Sequence, residues 1–125
     1  MVKTAAILFG IVFLAVGILG FFQGEPMDDG RMLLGIFHVN PAHNFVHIAS
    51  GVVFLLCGMA GAGPSRTFFK IFGIVYGLVA VMGFVVGNGK LLGLISNNMA
   101  DVWLHVVLAL AMLYLGFMAR DTATA

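Results

Sequence analysis

Four apolar stretches, residues 4–22, 45–62, 68–86 and 102–118, decide what this chain can fold into. Each is close to the roughly 20 residues an α-helix needs to cross the hydrocarbon core. A bilayer admits only helices or closed barrels as spanning backbone, because every peptide group must find its partner inside the protein. The composition agrees: 62% of the 125 residues are hydrophobic and 9% are charged, against about half and a quarter in soluble domains. The expectation is an all-α integral membrane protein, a single four-transmembrane-helix domain over residues 1–125.

Lys3 followed by an apolar run has the outline of a secretory leader. The run is longer than the usual h-region of about 7–15 residues and no Ala-x-Ala site follows it, so it is read as the first membrane helix. Cys57 is the chain's single cysteine, which excludes a disulfide framework and a Cys-x-x-Cys-His haem attachment. A formal net charge of +1 without any basic run gives no reason to expect a nucleic-acid partner. With an even number of spans, Lys3, Arg66, Lys70 and Arg120 share one side. The other side carries Arg31 and Lys90 with Glu25, Asp28 and Asp29. The positive-inside rule then predicts cytoplasmic termini, in a bacterial inner membrane.

The chain also aligns on itself. Residues 9–24, FGIVFLAVGILGFFQG, align without gaps on residues 72–87, FGIVYGLVAVMGFVVG, at a shift of 63, with eight of the sixteen positions identical. Residues 33–47, LLGIFHVNPAHNFVH, align on 91–105, LLGLISNNMADVWLH, at a shift of 58. The matches include Asn40 with Asn98 and His47 with His105, polar residues that are rare in such segments. The expectation is a duplication, repeat 1 over residues 1–62 and repeat 2 over 63–125. Two-helix units run in the same direction through the membrane, so the repeats are parallel and related by an axis along the membrane normal.

Three of the four histidines lie in FHVNPAHNFVHIASG, residues 37–51. The duplication pairs His43 with Asp101, His47 with His105 and Phe45 with Trp103. His43 and His47 stand four residues apart, as do Asp101 and His105, so each pair shares a helix face. Turned toward the axis, these four side chains converge. They can then form a zinc, iron or copper site (His43, His47, Asp101 and His105) or the axial ligation of a b-type haem (His47 and His105, with Phe45 and Trp103 beside the macrocycle). They can also form a structural hydrogen-bond network, with Asn40 capping a helix whose first turn holds Pro41, or a proton-handling site. His38 has Ser96 as its counterpart and is expected to be an exposed loop residue.

No nucleophile triad, paired carboxylates or nucleotide fingerprint is present. GNGK, residues 87–90, lacks the other Walker residues. An enzymatic role therefore requires a bound metal or haem. The glycines at small-xxx-small spacing, Gly73 with Gly77 and Gly83 with Gly87, suit packing within the bundle or between protomers. The alternative to a cofactor protein is an accessory subunit that docks its apolar exterior on a larger membrane complex.

The run NPAHNFVH followed by SG, together with NNMADVWLH, resembles a family of small four-helix bacterial membrane proteins of unknown function, DoxX-like in outline. The resemblance implies four helices and outer placement of the histidines, and it implies no activity.

Overall fold

A computed structural model describes residues 1–119; Arg120, one of the cations in the orientation argument, lies outside the described residues. Four helices dominate: α1 (Val2–Leu19), α2 (Pro41–Ala60), α3 (Ala62–Val86) and α4 (Met99–Leu113), the last continued by a π-helical turn (Tyr114–Met118). All four are long and apolar enough to span a membrane, counting α4 with its continuation. The protein is therefore mainly helical and belongs in lipid.

α2 and α4 begin before their apolar runs because polar residues build their first turns. Asn40 and Asn98 are the N-caps, each in extended backbone, and each side chain accepts a hydrogen bond from the amide three residues on, at His43 and Asp101 respectively. Pro41 sits in the first turn of α2, where its missing N–H costs nothing. At the opposite end α2 passes into α3 through Gly61 alone (φ 134°), a conformation open to glycine and few others. The Ser65 hydroxyl closes that corner by donating to the Gly61 carbonyl at 2.7 Å.

α1 packs on α2, and α3 on α4, across small residues. A Cβ on Gly10 would come within 2.9 Å of the Gly51 carbonyl, and one on Gly51 equally close to the Gly10 carbonyl. Gly73 is pressed against Leu113 and Gly83 against Val102, while Gly77 and Gly87 have no neighbour where a Cβ would point. Only the first glycine of each small-xxx-small pair therefore serves the internal packing expected of both. Phe9, Phe54, Phe69 and Phe72 fill the middle of the bundle, with Phe9 edge-on to Phe69 at 5.2 Å between ring centroids.

Where loops were expected, the chain forms two antiparallel caps. The first has three strands, β1 (Glu25–Met27), β2 (Gly30–Leu33) and β3 (Phe37–Val39); the second has two, β4 (Lys90–Leu91) and β5 (Ile95–Ser96). The β2–β3 and β4–β5 turns are alike. Leu34 and Gly35 take φ 57° and 71°, and Leu92 and Gly93 take 54° and 73°. The closing pairs, Leu33 with Phe37 and Leu91 with Ile95, differ by 58 residues at both positions.

The caps also hold each other. Asn40 donates to the Leu94 carbonyl and Asn98 to the Ile36 carbonyl, both at 2.9 Å, a reciprocal exchange between positions 58 residues apart. Asp29, in the first cap, pairs with Lys90 at 3.0 Å and accepts from the Ser96 hydroxyl at 2.9 Å. These bonds to Lys90 and Ser96, with one from Asn40, hold the Asp29 carboxyl below its ordinary value. Arg31 ties the first cap to the turn that follows α1 by donating to the carbonyls of Phe21 and Gly24.

Candidate metal centre

One turn below the caps, His43, His47 and His105 meet. All three are at most 5% exposed, and one ring nitrogen from each can be chosen so that the three lie within 4.8 Å of one another. The i to i+4 spacing on α2 stacks His43 beside His47, with ring centroids 4.7 Å apart, and α4 brings His105 to 5.9 Å from His43. Aromatic neighbours fix two of the rings. Phe13 of α1 lies 5.3 Å from His47, and Tyr76 of α3, 63 residues on, lies 5.3 Å from His105. The partner positions obey the two shifts found in the sequence.

The polar bookkeeping of the cluster is unusual. The Nδ1 atoms of His43, His47 and His105 are all buried and none has a hydrogen-bond partner. A buried polar atom left unpaired is costly, by roughly 1–3 kcal/mol, and three at one place need a reason.

Asp101 stands apart from the three-histidine group. It lines the same small cavity as the three rings, about 80 Å³, and is 2% exposed. One of its oxygens accepts from the Asn98 amide at 3.0 Å, completing a capping box at the start of α4. The backbone of His38 lies against both this carboxyl and the His43 ring. His38 is not the exposed loop residue expected: it is half-buried on β3, its Nε2 2.6 Å from the Asp29 carbonyl. Phe45 and Trp103 do not flank the cluster either. They are 62% and 58% exposed on the outside of the bundle, against Phe21 and Phe84, each at 5.3 Å. A helix face carrying His43 and His47 inward must carry Phe45, two residues on, outward.

Sequence reasoning passed over Phe13 and Tyr76 as site residues. Their signal was present: they align with each other at a shift of 63.

Over residues 3–118 the chain matches a family described as a domain of unknown function, DUF4383. It belongs to that family. No curated protein and no solved structure matches the chain. The family carries no assigned chemistry, so function rests on the histidines themselves.

Proposed function

We propose that this DUF4383 member is a membrane metal-binding protein that holds one transition-metal ion on His43, His47 and His105. The observation that carries this is the set of three buried Nδ1 atoms without partners. A structural network would have paired them with one another or with the asparagines, whereas a metal that takes the Nδ1 of each ring would satisfy all three at once. Neutral imidazoles are the donors that zinc, copper and iron share. A tetrahedral zinc site with bonds of about 2.0–2.1 Å needs nitrogens about 3.3 Å apart, so the three, within 4.8 Å of one another, would draw closer on binding. Three histidines leave a fourth position open. Asp101, in the same cavity, supplies a negative charge that a cation in a low-dielectric bundle requires, either as fourth ligand or as neighbour.

The haem alternative has less support. A macrocycle between His47 and His105 would have to share their space with the His43 ring, and the two aromatics expected to flank it face outward.

The matching turns, caps, ring pairs and reciprocal asparagine bonds support a duplicated chain with parallel repeats. The distribution of basic residues supports cytoplasmic termini, which puts the metal near the outer face of the membrane.

The test is elemental analysis and a visible spectrum of protein purified in mild detergent. About one zinc, copper or iron per chain is expected, falling about tenfold or more in His43→Ala, His47→Ala and His105→Ala with helicity retained. A wild type that stays colourless and metal-free after loading with each ion would overturn the proposal in favour of the accessory-subunit reading.

A further inference from the structure

A second, larger cavity of about 280 Å³ lies on the other side of the histidine cluster, between α2 and α3 and beneath the second cap. Val46, Ala49, Val75, Val79 and Met82 form its walls, Leu91 and Ile95 its roof, and His43 and His105 its inner end, beside Tyr76. No charged residue lines it. Val46, Ala49 and Val75 are exposed on the flank of spanning helices, so the mouth opens sideways toward lipid.

We infer that this cavity receives a lipophilic molecule from the bilayer, one with an apolar body and a terminal hydroxyl, carbonyl or carboxyl oxygen that meets His43 and His105. Apolar walls with a few convergent polar groups at one end are how proteins orient a small amphiphile. The walls offer nothing to an inorganic ion or a sugar, whose desolvation they would not offset. The inner end does offer something: His43, His105, Ser50 and Tyr76 are the polar side chains in its lining. With a metal on the three histidines the ligand's oxygen would face the ion from this inner end. Without one it bonds the imidazoles directly, so the ligand needs the cluster but not the ion.

Photolabelling tests this. Decanoic acid and decane, each carrying a chain diazirine, are irradiated with the protein in phosphatidylcholine nanodiscs, and adducts are mapped by mass spectrometry alongside metal content. Decanoic acid should label Val75, Val79 and Met82 about tenfold more than the outward-facing Val85 and Leu110, and unlabelled decanoic acid should compete. Filling the mouth with Val79→Trp, or with Ala49→Trp should the first variant fail to fold, should remove that enrichment while metal content stays unchanged. His105→Ala should lower the enrichment of decanoic acid but not of decane. Even labelling of cavity and outer surface, or enrichment indifferent to the tryptophan variant that folds, would overturn the inference. Enriched labelling of a chain that holds no metal would uphold it while sinking the metal proposal.

Discussion

Asn40 makes four hydrogen bonds with one amide. Its oxygen caps α2 and also accepts from the Ser96 amide at 3.3 Å, and its nitrogen reaches the Leu94 carbonyl and the Asp29 carboxylate. Removing a cap alone costs about 1 kcal/mol, and here the bonds between the two chain halves are lost as well. Asn40→Ala should therefore destabilise the detergent-solubilised protein by about 1–3 kcal/mol in chemical denaturation. A change below the error of the measurement would remove the bracing role. The cap was legible in the Asn-Pro pair, but the cross-tie was not, since nothing local reports a partner 54 residues away. Asp29 gives a pH prediction from the same network. Because its folded-state value is lowered, its contribution is present above the ordinary carboxylate value of 3.8 and is lost as pH falls through the lowered one. Wild type should be more thermostable than Asp29→Asn at pH 6, and the gap should narrow as pH falls below 3.8. A gap that persists in acid would show that the ion pair with Lys90 is not its source.

The helices were legible because a membrane permits little else for runs of that length. The apolar runs stop short of the starts of α2 and α4, whose first turns carry polar residues that hydropathy counts as loop, but the Asn40–Pro41 pair marked the start of α2. The caps were missed for a different reason. Leu34 and Leu92 sit at positive φ, where leucine is rare and where turn rules look for glycine or asparagine. Both leucines are well exposed, at 63% and 77%, so their side chains do not explain the conformation, and the reciprocal asparagine bonds at Ile36 and Leu94 hold the loops that contain them. Packing within the pairs gives a sharper test. Gly10→Leu should overpack the α1–α2 contact at Gly51 and Leu55 and destabilise by about 1–3 kcal/mol or block folding. Gly77→Leu, which meets open space, should stay within about 0.5 kcal/mol of wild type. Equal effects from the two would mean that close α1–α2 approach is not what holds the bundle.

At the scale of the whole molecule, the gathering of His43, His47 and His105 was legible from their spacing and from the repeat. Asp101 was only half legible: its place by the cluster followed from its pairing with His43, but its commitment to the capping box followed from lying three residues past Asn98. Parallel repeats predict that residues 3–60 superpose on 66–118 by a rotation of about 180° about the membrane normal. An experimental structure in which helices α1 and α3 do not exchange under it would end the duplication account. Cytoplasmic termini predict that, in a Cys57→Ala background, Asp28→Cys is labelled by impermeant reagent in intact cells and Gly63→Cys only after permeabilisation; the reverse pattern would invert the protein. The central claim, one metal held by three imidazoles, is tested most directly by X-ray absorption at the edge of the bound metal in the purified, zinc-loaded protein. The account predicts a four-coordinate ion with nitrogen or oxygen neighbours at about 2.0–2.1 Å, multiple-scattering features of three imidazoles and no sulfur shell. An ion surrounded by oxygen alone, or one that keeps its three-imidazole signature in the His47→Ala variant, would contradict it.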